Sequence, residues 1–138
     1  MTPTPEPTAG EGRTLAVIAL GGVIGSELRY VVGMLVGAGG LGWATVAVNV
    51  TGGFGMGLLA ALLTRARRPL WRPFLATGVL GGFTTFSTFS TDTLRLVESG
   101  RPWSSLGYVL LTLALVLPLT YAGDRVGSWL VSRSVGGP

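Results

Sequence analysis

Residues 81–90 read GGFTTFSTFS, seven glycine or hydroxyl positions around three phenylalanines. They fall inside a stretch that must cross a membrane, where lipid gives hydroxyls no reward and a glycine pair weakens a helix. Such a run is expected to line a passage or to bind an ion; small residues for close helix packing are the plainer alternative. On a helix, Thr84, Ser87, Thr88 and Thr91 recur at i, i+3, i+4 and i+7 and form one hydroxyl stripe. Phe86 and Phe89 point to roughly the opposite side. Hydroxyls donate to an anion without adding charge, and an aromatic ring offers it a positive edge. This lining suits a small anion bound weakly enough to leave. Phe83, outside that pair, also reads as lipid-facing filler.

Two further polar residues sit in apolar surroundings. Asn49 is the sole asparagine of the chain and shares a helical face with Thr45, Gly52, Gly53 and Met56. A carboxamide in lipid is costly unless partnered, so Asn49 either bonds a permeating ion or joins two helices. Arg29 lies on one face with Gly21 and Gly25, and Glu27, two residues away, is not its natural helical partner. An arginine so placed either snorkels to the interface or makes an electropositive vestibule. Tyr108 and Thr112, four apart, would add hydroxyls to the same pathway.

The elements that must hold these residues are four apolar stretches, about 14–36, 43–64, 73–97 and 104–131. Each can span roughly 30 Å of hydrocarbon at about 1.5 Å per residue. The connections 37–42, 65–72 and 98–102 are short and leave no room for a water-soluble domain. Charged residues make up only 12% of the chain and the mean hydropathy is +0.58, so an all-α integral membrane protein is expected. The third stretch is the least apolar, and Gly78, Gly81 and Gly82 interrupt it, which predicts a helix broken near the midplane. Residues 1–13, rich in Pro and Thr, read as a disordered tail, 14–132 as the membrane domain and 133–138 as a C-terminal tail. The tail lacks the basic start of a secretory signal.

Cysteine and histidine are both absent, which removes disulfides, thiolate chemistry, imidazole metal sites and histidine acid–base catalysis. All ten cations are arginines, concentrated between the apolar runs, so membrane topology explains the pI of about 10.7 better than nucleic acid does.

Three motifs fall in order along the chain: GGVIGSELRY at 21–30, VNVTGGFGMG at 48–57 and GVLGGFTTFSTFS at 78–90. Together they resemble the signatures of the Fluc (CrcB) fluoride channels, from about residue 14 onward. The TTFSTF run is highly specific, whereas Asp92 stands where that family more often has glutamate. The resemblance implies an antiparallel, dual-topology-type dimer of four-helix subunits in the inner (plasma) membrane, exporting fluoride passively through two pores, with no enzyme activity. It also implies a structural sodium ion at the dimer centre, held by the backbone carbonyls of Gly81 and Thr84 from each subunit, hard oxygens suited to a hard cation. By motif position the pore phenylalanines are Phe86 and Phe89, the pore asparagine is Asn49, Ser87 and Thr88 belong to the hydroxyl track, and Arg29 is the vestibule arginine. Tyr108 and Thr112 are placed by spacing alone.

Two rivals differ in chemistry. A small proton-coupled multidrug or cation antiporter needs a membrane carboxylate, for which Glu27 is the candidate. A non-transporting accessory subunit would leave Asn49 and the hydroxyls unexplained. Anion efflux from proteoliposomes separates them: passive and fluoride-selective, proton-coupled and cation-selective, or absent.

Charge placement adds an orientation. The tail, the 65–72 loop and the C-terminus share one side and hold Arg13, Arg65, Arg67, Arg68, Arg72 and Arg133, against Arg95 and Arg101 opposite. This bias predicts both termini in the cytoplasm and a largely fixed orientation. An antiparallel partner is then an oppositely biased paralogue, unless a minority of this chain inserts inverted and is trapped by pairing. With reporters fused to the C-terminus, a cytoplasmic reporter should dominate; equal signal from an external one would establish dual topology.

Overall fold

The computed structural model describes residues 9–37, 42–64 and 69–135, all helical or in short turns. Helix α1 runs Ala9–Val36 and α2 Trp43–Leu63. A π-wound segment, π1, spans Pro73–Leu80 and leads into the single turn α3, Gly81–Phe83. Helices α4, Phe86–Glu98, and α5, Pro102–Val135, complete the chain. Among the described residues three helices are long and apolar enough to cross a membrane: Gly10–Val36, Trp43–Leu63 and Pro102–Arg133. The third apolar stretch of the sequence is not among them, because its two helical pieces are joined by the extended residues Thr84 and Thr85.

Local signals account for the ends. Gly42 is left-handed (φ 67°) just before α2, and Pro102 opens α5, where its missing N–H costs nothing. Helix α1 stops at Gly37 (φ 75°), whose N–H returns to the Gly33 carbonyl at 3.1 Å. Helix α4 ends in a Schellman motif: left-handed Gly100 donates to Val97 (2.9 Å) and Arg101 to Leu96 (2.9 Å). Helix α1 begins at Ala9, so residues 9–13 are its opening turns and not a disordered tail, and α5 continues to Val135, past the expected boundary at 132. Residues 1–8, 38–41, 65–68 and 136–138 lie outside the described residues, and with them the rest of the expected tails, most of the first connection and three of the counted arginines, Arg65, Arg67 and Arg68.

Glycine spacing decides which helices pair. Gly53 and Gly57 on α2 pack on Val116, Thr120 and Asp124 of α5, Gly123 and Gly127 on α5 pack on Phe54, Leu58 and Ala61 of α2, and Gly21 and Gly25 on α1 face Gly78 and Gly82 of the π1–α3 segment. All four are small-xxx-small pairs, which let backbones touch. A Cβ on Gly57 would strike the Thr120 carbonyl, and one on Gly25 the Val79 carbonyl. Gly78 and Gly82 are thus packing glycines inside helical turns. The helix does not break at them, contrary to the expectation from sequence; it breaks after Phe83.

The chain is apolar on its outside, as contact with lipid requires: Leu20, Met34, Leu35 and Leu117 are exposed. The interior is small. Val46, Leu96 and Tyr108 form it, with Val50 and Phe89 packed against them.

Gly57→Ala should lower the thermal unfolding midpoint in detergent, overpacking costing about 1–3 kcal/mol. Gly107→Ala, with nothing within 4 Å of its added Cβ, should leave the midpoint unchanged or raise it.

Candidate functional site: a helix break held by two side chains

Thr84 (φ −73°, ψ 155°) and Thr85 (φ −144°, ψ 117°) leave the helix, so their peptide groups need partners from elsewhere. Asn49, from α2, supplies two: its Oδ1 accepts the Thr85 N–H (2.8 Å) and its Nδ2 donates to the Thr85 carbonyl (3.0 Å). Arg29, from α1, supplies the third, donating Nη1–H to the Thr84 carbonyl at 3.3 Å. The Thr84 N–H still closes on Leu80 (2.9 Å). Every backbone polar group of the two extended residues is therefore bonded. Asn49 joins two helices, and one hydrogen of its Nδ2 is left to donate. Arg29 turns inward to the break.

The side chain of Thr85 then starts α4. Its Oγ1 accepts the Thr88 N–H (3.1 Å), donates to Thr88 Oγ1 (3.0 Å) and lies 3.2 Å from Ser87 Oγ. This is an N-cap, with the amides of Phe86 and Ser87 at the positive end of the helix dipole. The site turns on Thr85, which is buried and which the sequence reading did not single out. Its signal was Thr-x-x-Thr ahead of a polar helix, hidden by the assumption of one continuous helix. That assumption also fails for the hydroxyl stripe. Thr84 precedes the break, bonds back to the Leu80 carbonyl (3.0 Å), and is not in helical register with Ser87, Thr88 and Thr91.

Two cavities meet at the break, and Thr85 lines both. A cleft of about 510 Å³ has Ser26, Glu27, Arg29, Thr45 and Thr88 among its lining residues. Because Thr88 Oγ1 accepts from Thr85, it keeps its own proton to donate. An apolar groove of about 380 Å³ is lined by Asn49, Gly52, Met56, Phe86, Phe89 and Thr112 among others. Phe86 is 80% exposed, with its ring 5.9 Å from that of Phe89. The structure therefore divides the predicted residues. Asn49, Phe86, Phe89 and Thr112 share the groove, Arg29 and Thr88 share the cleft, and Ser87 lines neither, staying at the N-cap.

Tyr108 also lines neither. It is buried under Phe89, the rings stacked at 5.4 Å, and its hydroxyl is 3.5 Å from Asp92 Oδ2. Thr112 gives its proton to the Tyr108 carbonyl (2.7 Å) and faces the groove without a free donor. Asp92 accepts from Thr45 Oγ1 (2.8 Å) and lies 4.0 Å from Arg95, tying α4 to α2 and α5. Glu27 lies exposed at the cleft; Arg95–Asp92 is the one ion pair found among the described residues.

For a cation at the break, the oxygen chemistry fits. A continuous helix would direct the Thr85 amide to the Gly81 carbonyl, but Asn49 takes that amide, and the Thr84 carbonyl points out of the helix. Gly81 itself has ordinary helical angles (φ −63°, ψ −37°), and an added Cβ would meet only Ala76 O, at 3.9 Å. Within the single chain, neither backbone angles nor contacts require glycine at position 81.

Residues 16–124 match the family described as CrcB-like protein, Camphor Resistance (CrcB). The chain belongs to this family. It is similar to the fluoride-specific ion channel FluC of Paracoccus denitrificans, 47% identical over 119 residues that cover 85% of this chain and 96% of that protein. The FluC proteins of Agrobacterium fabrum (43% over 118 residues; 82% and 94% covered) and Thermus thermophilus (47% over 119; 83% and 95%) are similar in the same way. The CrcB match takes in all of α2, the break and most of the other two helices able to cross a membrane among the described residues, and this is an integral membrane protein.

Asn49→Ala should destabilise as well as impair any transport, since it strands two peptide groups of Thr85 at about 1–3 kcal/mol each. Thermal unfolding in detergent checks this; a midpoint equal to wild type would mean that the bridge does not hold the break.

Proposed function

We propose that the chain is a fluoride channel that lets the anion leave the cytoplasm down its electrochemical gradient, a transport activity and not catalysis. The observation that carries this reading is similarity to FluC channels over more than nine-tenths of the Paracoccus, Agrobacterium and Thermus proteins' lengths. Neutral hydrogen fluoride crosses lipid and ionises inside, so the trapped anion needs a pore. The lining chemistry agrees. The groove offers the exposed Phe86 ring and Phe89, whose edges are positive, next to the remaining Asn49 N–H. The cleft offers the Thr88 proton and the Arg29 guanidinium. Apart from Arg29 these groups are uncharged, which keeps the anion bound weakly enough to pass on.

In this reading the segments Pro73–Phe83 and Phe86–Glu98 cross the membrane together as the third of four spans. The subunit pairs antiparallel, with a copy of itself or a paralogue, in the inner (plasma) membrane. A sodium ion at the pair's centre would be held by the carbonyls of Gly81 and Thr84 from each subunit; when bound it would take the Gly81 oxygen whose helical amide goes to Asn49 and share the Thr84 oxygen with Arg29. The antiporter alternative would use Glu27. No feature of the cleft favours it, because Arg29 lines the same cleft and a cation would meet its charge.

Passive fluoride efflux from proteoliposomes tests the function, and proton-coupled cation exchange in its place would overturn it. Phe86→Ile and Phe89→Ile should each slow efflux about ten-fold, as loss of roughly 1.4 kcal/mol of ring-edge interaction implies, with folding intact. Gly81→Ala should leave the single chain folded. If sodium binds as proposed, this substitution should weaken stabilisation by sodium, measured as the rise in unfolding temperature with added salt. An unchanged sodium response would remove Gly81 from the site.

A further inference from the structure

The C-terminal half of α5 carries an alternating stripe that the site does not use: Tyr121, Arg125, Trp129 and Arg133, each four residues from the next. At that spacing they lie along one face of the helix. Tyr121 and Trp129 are 65% and 51% exposed. The Arg133 guanidinium sits 4.0 Å above the Trp129 ring, and that of Arg125 lies 6.0 Å from the Tyr121 ring. Neither arginine has an ion pair among the described residues. Asp124, next in sequence, is about 100° round the helix from Arg125 and pairs with neither arginine, and its amide is 2.9 Å from the place a Gly57 Cβ would take on α2.

The tryptophans set the depth of this stripe. All four in the chain are substantially exposed: Trp43, Trp71, Trp103 and Trp129. Trp103 and Trp129, on one helix, are 26 residues apart, or about 39 Å at about 1.5 Å per residue. That separation matches a hydrocarbon core of about 30 Å with part of the headgroup layer on each side, where tryptophan concentrates. Gly127 packs on Leu58 and Ala61, so Trp129 lies near the end of α2, on the membrane side that also holds Trp71. Arg133 is one turn beyond Trp129, at phosphate level. Arg125 is one turn deeper, where an exposed guanidinium without an acidic partner needs an anion.

From this we infer that the Tyr121–Arg125–Trp129–Arg133 face of α5 binds the phosphate headgroup of an anionic phospholipid in the leaflet at the C-terminal end of the helix. Guanidinium forks match phosphate oxygens in pairs, and the Trp129 ring, 4.0 Å from the Arg133 guanidinium, leaves that side chain less freedom to lose on binding. The inference depends on the chain spanning a membrane and not on fluoride conduction.

Native mass spectrometry of the purified full chain in detergent, with phosphatidylglycerol and phosphatidylcholine at equal concentration, tests it. Wild type should retain phosphatidylglycerol about 30-fold over phosphatidylcholine, the preference two arginines give at the usual worth of a basic residue near an anionic surface. Arg125→Gln with Arg133→Gln should bring the ratio close to one. The corresponding double Lys variant, which keeps charge but loses the fork, should fall between the two. Should the double Gln variant not fold, Arg133→Gln alone should lower the ratio about five-fold. A Gln variant that keeps the wild-type ratio, or a wild type without preference, overturns the proposal. Fluoride efflux from neutral-lipid vesicles should be the same for wild type and Arg133→Gln, so failure here is distinguishable from failure of the channel reading.

Discussion

A peptide unit that leaves its helix among apolar neighbours must find a new partner for both its N–H and its carbonyl. At Thr85 one carboxamide does both. Asn49 presents an acceptor and a donor in the same plane, the pair that a neighbouring peptide would present, and so replaces a backbone strand that the fold does not have. Serine would not reach both groups, and aspartate at neutral pH would accept but not donate. Arg29 completes the arrangement at the Thr84 carbonyl. Three features downstream depend on this bridge: the N-cap at Thr85, the open amides at the start of α4, and the side on which Phe86 emerges.

The rest of the chain acts as a frame for that bridge. Backbone contact at glycines joins α1 to the π1–α3 segment and α2 to α5. One unit brings Arg29, the other brings Asn49, and the break lies between them. Helix α4 is held differently, by side chains: Thr45 and Tyr108 on Asp92, Phe89 on Tyr108, and Ser105 Oγ on the Thr93 carbonyl (3.0 Å). Asp92 reaches Thr45 with one carboxylate oxygen at 2.8 Å and so ties α4 to α2. Gly42 reflects the same closeness, since a Cβ there would come within 2.6 Å of Asp92.

Much of the site could be read from residue types. Asn49, Arg29 and the FTTFSTF run stand out because polar groups in apolar stretches are costly, and the structure brings all three to one place. The location of the break was misread for a physical reason. Glycine weakens a helix in isolation, but at Gly78 and Gly82 the same missing Cβ permits a contact that holds the helix in place. Tertiary packing reversed the local preference. Thr85 was missed because Thr-x-x-Thr reads as a cap only where the helix is broken, and the break is held by a partner 36 residues away. Tyr108 was placed by spacing, and spacing cannot tell a hydroxyl facing a groove from one turned to a carboxylate on another helix.

The bridge at the break consists of an amide, two peptide units and a guanidinium. An amide and a peptide unit neither gain nor lose a proton near neutrality. The chain has no histidine, the side chain that ordinarily does so. Acidity governs how much hydrogen fluoride enters a cell and how fast the anion accumulates, yet it has no handle on the groups that shape this break. The opening is therefore fixed hardware: supply and demand change with pH while the geometry stays constant.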